Sequence, residues 1–261
     1  MISPDFASPS QPWNGAVMVS PHLDDAVLSA TSRLASGGFT VGTVYAAIPD
    51  RSARLGAWDR LTCARNSNER MHERIAEDDR ALAMLDARPH RLSFLDSQYS
   101  PPRDQPEAIE RELALRLAGA SEVWLPAGIA GNTDHLRVRR AALRALRSCD
   151  TPVFLYADLP YSVLYGWPTQ VCGRDEGAFL DTTWWFEQEL RRRRLRSPAL
   201  ELNVVWLDDA TRRRKRAAMA AYRSQLPALS LSTDESLDQL TEIEVYWALT
   251  RPAREFPQLL R

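Results

Sequence analysis

The chain has 261 residues, of which 44% are hydrophobic and 26% charged, and its formal net charge is -1 at pH 7. These proportions are ordinary for a globular protein and exclude collagen-like, low-complexity and disordered classes. A net charge near zero gives no whole-chain basic field for nucleic acid. No apolar run approaches the roughly 18 residues that a membrane span needs. We therefore expect a globular protein that neither binds nucleic acid nor spans a membrane.

The N-terminus and the cysteines predict a cytoplasmic location. Residues 1–14 are polar, contain three prolines and lack the basic start and apolar stretch of a signal peptide. Cys63, Cys149 and Cys172 are far apart and show no CxxC spacing. They therefore predict reduced thiols, and neither a disulfide framework nor a cysteine metal site.

Short apolar segments alternate with segments of helical periodicity, starting at residue 15. In chain order the pattern predicts a strand at 15–20, a helix from Asp24 to the glycines at 37–38, a strand at 39–46, a helix at 66–85, a strand at 92–95, a helix at 107–117, a strand at 123–125, a helix at 136–146 and a strand at 153–156. This alternation predicts an α/β, Rossmann-like fold with a mostly parallel sheet flanked by helices.

The last third of the sequence is less regular and predicts a cap on the same core. A strand is expected near 202–207, with helices from about Asp208 and Leu237. The aromatic residues of this part suit either core packing or a sugar-stacking cleft: Tyr161, Tyr165, Trp167, Trp184, Trp185 and Phe186. The expected organisation is a loose N-terminal segment, 1–14, and one α/β domain, 15–261. The core of that domain covers about 15–160, and the cap and C-terminal elements cover about 161–261.

The segment Ser20-Pro21-His22-Leu23-Asp24-Asp25 follows the first predicted strand, at the edge of the sheet where ligands bind. His22 and Asp25 are three residues apart, so one helical turn brings an imidazole and a carboxylate together as metal ligands. Asp24 lies between them and can reach a metal-bound water. Zinc with three protein ligands keeps a fourth position for such a water. The same residues also suit a helix N-cap formed by Asp24 or Asp25, with His22 as a hydrogen-bonded loop residue.

A second polar segment, Gly131-Asn132-Thr133-Asp134-His135, follows the strand at 123–125. His135 could supply the third metal ligand, and Asp134 could orient a neighbouring imidazole. The alternative is that Asp134 caps the following helix and His135 is solvated. Two His/Asp clusters at matching ends of parallel strands favour a metal site.

These motifs resemble those of the zinc-dependent LmbE-like (PIG-L) de-N-acetylases. Pro21-His22-Leu23-Asp24-Asp25 matches the (P/A)H-x-DD motif of that family, and Asn132-Thr133-Asp134-His135 matches part of its H-x-D-H motif. The resemblance implies a Rossmann-like fold and a hydrolase that removes an acyl group from an amino sugar. It implies Zn²⁺ as the cofactor, although Fe²⁺ or another divalent metal would suit the same His/Asp set.

The resemblance also implies roles for individual residues. His22, Asp25 and His135 would hold the metal, and Asp24 would be the general base. Asn132 and Asp134 belong to the second catalytic motif, while Arg74 and Asp96 match substrate-binding positions. Residues 215 to 225 resemble a family stretch, K…(H/Y)-x-SQ, to which the resemblance gives no role.

The chain departs from the family at Asn132, where the family usually has a histidine. An asparagine amide can donate a hydrogen bond to an oxyanion but cannot deliver a proton at neutral pH. Asp24 is then expected to serve as base and afterwards as acid. Leu23 and Thr133 replace prolines of the two motifs.

The expected function is a zinc-dependent amidase, or deacetylase, that removes an N-acyl and most simply an N-acetyl group from an amino sugar or an amino-sugar-bearing natural product. One alternative is a divergent member that acts on a non-sugar substrate in secondary metabolism. Another is a non-catalytic sugar-binding module, although such a module has no need of a base at Asp24. The oligomeric state is left open.

Overall fold

The computed structural model describes residues 11–99, 101, 103–164, 200–229, 238 and 240–249. Its strands are β1 (Gly15–Ser20), β2 (Thr40–Thr43), β3 (Arg88–Arg91), β4 (Ala120–Pro126), β5 (Val153–Tyr156), β6 (Leu200–Trp206) and β7 (Ile243–Leu249). Its helices are α1 (Asp25–Leu34), α2 (Ala57–Leu61), α3 (Ser67–Met84), α4 (Gln105–Leu117), α5 (Thr133–Ala145), α6 (Tyr161–Leu164) and α7 (Asp209–Met219). Single 3-10 turns lie at Ser97–Tyr99 and Ile129–Gly131.

The seven strands of this described part form one sheet in the order β3-β2-β1-β4-β5-β7-β6. The first five strands are parallel, whereas β7 pairs antiparallel with both β5 and β6. The strand order reverses direction between β1 and β4, so a crevice opens at their carboxyl ends. In sheets of this type such a switch point is where ligands bind. The predicted α/β fold with a mostly parallel sheet is confirmed.

Alternating side chains of the sheet pack on both faces. In β4, Val123 and Leu125 belong to the apolar cluster that includes α4 and α5, whereas Trp124 belongs to the cluster that includes α1, α3 and α7. Helices therefore cover the sheet on both sides. This is why the inner strands β1 and β5 consist of nearly continuous apolar residues.

One predicted strand is misplaced, and another strand is missed. The third strand lies at Arg88–Arg91 and not at 92–95. An edge strand can carry polar side chains and a proline, so apolar content alone misplaces it. The helix predicted from about Leu237 is present at its described residues 238, 240 and 241, and it ends before strand β7 (Ile243–Leu249), which the sequence did not predict. Its alternating pattern of Ile243, Val245 and Trp247 is that of a strand with one face against the core.

Several predicted features fall outside the described residues. These are most of the loose N-terminal segment, Cys172, and the aromatic residues Tyr165, Trp167, Trp184, Trp185 and Phe186. Cys63 and Cys149 are free cysteines, as predicted. In the described part of the chain, every helix is too short or too polar to cross a bilayer. The division into a single domain stays a prediction.

A buried ion pair joins α7 to strand β7 of the sheet. Lys215 is fully buried, and its Nζ lies 2.8 Å from Oε1 of Glu244 in β7. The second oxygen of Glu244 accepts hydrogen bonds from the backbone N–H and the hydroxyl of Ser32 in α1. Burial lowers the pKa of Lys215, while the charge of Glu244 opposes that shift. The pair therefore ties three elements together, and each charge needs the other.

Replacing one partner should be more costly than replacing both. Lys215→Met leaves an uncompensated buried carboxylate, so we expect a loss of about 3–5 kcal/mol in the free energy of unfolding. Lys215→Met combined with Glu244→Gln should recover most of that loss, because glutamine still accepts from Ser32. Urea denaturation followed by circular dichroism measures both. A double variant as unstable as Lys215→Met would contradict this account.

Candidate functional site

The loop between β1 and α1 uses Ser20 to satisfy the helix start. The Ser20 hydroxyl accepts from the Ala26 backbone N–H at 3.1 Å and donates to the carbonyl of His22 at 2.5 Å. Asp24 occupies the N-cap position of α1, yet its side chain makes no capping hydrogen bond. The Asp25 carboxylate instead accepts from the His22 backbone N–H at 2.8 Å. The alternative in which Asp24 caps the helix is therefore wrong. The buried carboxylate of Asp24 remains available for a different interaction.

The start of α5 is capped by Asn132. Its side-chain oxygen accepts from the Asp134 backbone N–H at 3.1 Å, so Asp134 lies inside the first turn and is not the cap. His135 follows it and is completely buried. The alternative of a capping Asp134 and a solvated His135 is wrong. An asparagine at the cap leaves both Asp134 and His135 free to face the crevice.

One nitrogen of each imidazole faces the same oxygen of Asp25. His22 Nδ1 lies 3.2 Å and His135 Nε2 lies 3.3 Å from Asp25 Oδ2, and the three atoms lie within 4.8 Å of one another. His135 Nε2 has no hydrogen-bond partner among the described residues. An unpaired buried imidazole nitrogen is costly, so its position indicates a ligand. The three metal ligands predicted from the sequence thus come together.

The outer nitrogen of each imidazole faces a carboxylate. His22 Nε2 lies 3.5 Å from Asp134 and 3.6 Å from Asp96, while His135 Nδ1 lies 2.5 Å from Asp158. Carboxylates in this position fix the tautomer and the ring orientation of metal-binding histidines. The orienting position predicted for Asp134 matches its contact with His22. His22, Asp96 and Asp134 also form a cluster of possible ligands, but His22 Nδ1 already faces Asp25.

Sequence reasoning did not find Asp158, although a signal was present. Asp158 comes just after β5, as His22 follows β1 and the second motif follows β4. Its second oxygen accepts from the Ile129 backbone N–H at 2.9 Å, which links it to the loop after β4. The rule that parallel strands end at one functional edge would have pointed to this residue.

The charges of these groups depend on one another. Burial opposes protonation of His22, but hydrogen bonds to Asp134 and Asp25 hold its pKa well above its ordinary value. Burial likewise opposes ionisation of Asp134, but the hydrogen bond to His22 lowers the pKa of Asp134 to about 2. The pKa of Asp25 is lowered too, because His135 and His22 outweigh the effect of burial. Ionised carboxylates of Asp25 and Asp134 therefore lie next to an imidazole, His22, that favours its protonated form.

Asp24 lies beside the ligand cluster and close to Arg74. Arg74 in α3 is buried, and its Nη2 lies 3.8 Å from Asp24 Oδ1. Burial and the neighbouring charge of Asp25 raise the pKa of Asp24, while Arg74 lowers it. A carboxylate whose pKa is raised is a stronger base once it is ionised. Arg74 thus contacts the predicted base, and a substrate contact by Arg74 or Asp96 stays a prediction.

A cavity of about 260 Å³ opens above these groups. Its walls include Trp58, Gln98 and Tyr161, together with Asp24 and two of the candidate ligands, His22 and Asp25. Trp58 is half-buried, and its indole N–H donates to Gln225 Oε1 at 2.6 Å. Its backbone N–H donates to Gln98 Oε1 at 3.1 Å. The indole therefore has a fixed orientation and presents a flat apolar surface to the cavity.

Residues 215–225, to which the resemblance assigns no role, support the site by hydrogen bonds to the first motif and to α3. The Tyr222 hydroxyl lies 3.0 Å from the carbonyl of Leu23 and 2.9 Å from Asp78 Oδ1. Ser224 donates its backbone N–H and its hydroxyl to the two oxygens of Glu77 in α3. These contacts join the first motif to the helix that carries Arg74.

The donor set suits a divalent cation. Two imidazole nitrogens and one carboxylate oxygen form the three-ligand arrangement of catalytic zinc and iron sites. His135 Nε2 makes no hydrogen bond within the described part of the chain and is available to such a cation. The carboxylates behind both histidines would hold the imidazole rings in the orientation that binding needs. The structure therefore contains a candidate metal site at His22, Asp25 and His135.

Known deacetylases resemble this chain in sequence and in fold. No family model matches the chain. Over 168 residues it is 32% identical to 2'-N-acetylparomamine deacetylase of Streptomyces fradiae, which covers 56% of this chain. The chain spans 57% of the length of that curated relative.

Solved structures of antibiotic deacetylases share the fold. The A40926 pseudoaglycone deacetylase is 26% identical, with a TM-score of 0.70 over 91% of this chain and 97% of its own. A triple mutant of a deacetylase from teicoplanin biosynthesis has a TM-score of 0.71 over 91% of this chain and 98% of its own, at 23% identity. The chain thus has the α/β fold of these deacetylases, as the resemblance of its motifs implied.

Removing a ligand should lower metal affinity sharply. We expect His135→Ala to bind Zn²⁺ much more weakly than the unmodified chain in a competition titration with a chromophoric chelator, because one of three protein ligands is lost. His72→Ala is the matched control, since His72 is exposed on α3 and should leave affinity unchanged. Equal affinities of the two variants would remove His135 from the ligand set.

The carboxylate behind His135 should contribute to the same affinity. Asp158→Asn keeps the shape of the side chain but loses the charge that orients Nδ1, so we expect metal affinity to fall by roughly 10–100-fold. The same titration measures it, with thermal unfolding as a check that the apo protein remains folded. Unchanged affinity in a folded variant would show that Asp158 has only a structural role.

Proposed function

We propose that this protein is a metal-dependent deacetylase that hydrolyses the N-acetyl group of an amino sugar within a small molecule. The observation that carries this proposal is the convergence of His22, Asp25 and His135 beside a buried carboxylate, Asp24, that does not cap α1 and lies next to Arg74. The deacetylases with which the chain shares its fold support the same reaction class.

His22, Asp25 and His135 would hold the cation, and we propose Zn²⁺, with Fe²⁺ as the alternative for the same donor atoms. When bound, such a cation lowers the pKa of a water molecule and polarises a carbonyl oxygen. Asp134 and Asp158 would hold the two imidazoles in place. The ligand residues are provided by the ends of β1 and β4, so the rigid sheet fixes their separation.

Asp24 would carry the proton during hydrolysis. It accepts a proton from the attacking water as the new C–O bond forms at the acetyl carbonyl. It then returns that proton to the nitrogen as the C–N bond breaks, which releases acetate and a free amine. Arg74, 3.8 Å away, would keep Asp24 oriented and favour its ionised form before each cycle.

The cavity suits a sugar. The fixed indole of Trp58 offers an apolar surface for the C–H face of a pyranose, while Gln98 and Asp96 offer polar groups for hydroxyls. Aromatic side chains with a satisfied polar end are well adapted to this kind of contact. The named relatives act on 2'-N-acetylparomamine and on A40926 pseudoaglycone, so we propose an acetylated antibiotic precursor as the substrate class.

A non-catalytic sugar-binding module is the competing function. It would use Trp58 in the same way but would gain nothing from a buried, uncapped carboxylate at Asp24 next to a metal site. Burying such a charge without use is unfavourable. A non-sugar N-acyl substrate is the other alternative, and a panel of N-acetylated amines distinguishes it.

Asp24→Asn should separate chemistry from metal binding. We expect acetate release from N-acetylated aminoglycoside precursors to fall at least about 100-fold, because asparagine cannot accept the proton. The metal content by elemental mass spectrometry should stay near one ion per chain. Acetate release is followed by an enzyme-coupled assay on protein purified without chelator.

Asp86→Asn is a matched control, since Asp86 is remote from the cavity, in the turn after α3. It should retain activity. Full activity of Asp24→Asn would show that another group is the base. Loss of the metal in that variant would place Asp24 among the ligands. A chain that binds no metal and releases no acetate would refute the deacetylase function.

A further inference from the structure

Asn132 and Tyr161 form a hydrogen-bonded pair in the wall of the cavity. The Asn132 Nδ2 group donates to the Tyr161 hydroxyl oxygen at 3.3 Å. The other end of the same amide is already engaged, because Oδ1 accepts from the Asp134 backbone N–H. The capping bond therefore fixes which way the amide points. Its N–H group faces the tyrosine by necessity.

This contact determines what the tyrosine can donate. A phenol has one proton, and an oxygen that accepts from Asn132 keeps that proton for a different partner. Tyr161 opens α6 and lines the same cavity as Asp24 and Asp25. Its ring stands edge-on to the imidazole of His135, with 5.6 Å between ring centroids. The hydroxyl is thus held close to the place where an acetyl group would lie.

We propose that Tyr161, positioned by Asn132, donates the hydrogen bond that stabilises the acetyl oxygen as it gains negative charge. This inference rests on the proposed function and names a catalytic residue for it. No proton is transferred by Tyr161, since the proton removed from water passes through Asp24 to the amine. Asn132 is a positioning residue, whereas the sequence had suggested it as the donor itself.

The pair explains how the chain works without a histidine at position 132. An amide is a weak donor, and one of its two N–H bonds is directed to Tyr161. A phenol is a stronger acid than an amide and so makes a stronger hydrogen bond to a developing oxyanion. Preorganised donors of this kind contribute more in a site that is shielded from water.

Tyr161→Phe removes the hydroxyl and little else. We expect kcat for acetate release to fall by roughly 10²–10³-fold, as when one oxyanion donor is lost elsewhere, with a much smaller change in KM. Metal content should be unchanged. Tyr246→Phe is the matched control, because Tyr246 packs against Trp124 and Phe154 in the sheet, and it should keep full activity.

Asn132→Ser tests the positioning role. Serine can still cap α5 but has no amide to donate to Tyr161. We expect a smaller loss of kcat than in Tyr161→Phe. The double variant should be no slower than Tyr161→Phe alone, because the effect of Asn132 acts through the tyrosine. Losses that multiply would show two independent roles and would overturn the positioning account.

A tetrahedral analogue separates catalysis from folding. A methylphosphonamidate of the accepted amino sugar carries an anionic oxygen where the reaction develops charge. Its inhibition constant should rise in Tyr161→Phe by about the factor lost in kcat/KM, while affinity for the deacetylated amine is unchanged.

An active parent chain whose Tyr161→Phe variant retains both kcat and analogue affinity would refute this inference and leave the deacetylase function standing. A variant that loses affinity for the amine as much as for the analogue would also refute it, since the tyrosine would then serve ground-state binding. A parent chain that releases no acetate would refute both.

Discussion

The site depends on one constraint, which is that a buried imidazole presents a chosen nitrogen only when its other nitrogen is held. His135 has no solvent contact, and the hydrogen bond between its Nδ1 and Asp158 leaves Nε2 facing Asp25. Asp134 and Asp96 do the same for His22. The separation of the two imidazoles follows from β1 and β4 being neighbours in the sheet. Without these carboxylates the two imidazole rings could lie close together, but their ligand nitrogens would not be directed at the same position.

The same carboxylates concentrate negative charge in the site. The aspartates around the site are Asp24, Asp25, Asp96, Asp134 and Asp158. Among the described residues that line the cavity, Arg74 is the one permanent cation, so both histidines are drawn toward protonation. A divalent cation bound to neutral imidazoles would offset this charge more completely. The acidic surroundings would thus stabilise a bound cation, and burial together with the charge of Asp25 raises the pKa of Asp24, as suits its proposed role as a base.

Elements far apart in the sequence hold this arrangement rigid. Tyr222 and Ser224 connect the loop of the first motif to α3, and Gln225 fixes the indole of Trp58. Lys215 ties the helix that precedes them to the sheet through Glu244. A stretch of sequence outside the candidate site therefore helps to set the position of the residues proposed to act there. Rigid supporting contacts are what keep a site within the tolerance that catalysis needs.

The sequence alone determined the parallel strands, the edge at which the site lies, and the three candidate ligands, because apolar periodicity and strand-end position are local signals. It could not place Asp158 behind His135 or Tyr161 against Asn132, since these contacts join loops after different strands. It also misplaced β3, whose edge position accommodates polar residues, and missed β7, although the alternating pattern of β7 is a local strand signal. Ser20 accepts the hydrogen bond that an Asp24 cap would have taken, so the Asp24 carboxylate is left available for its proposed role as a base. Only the folded chain brings such competing donors and acceptors within reach of each other.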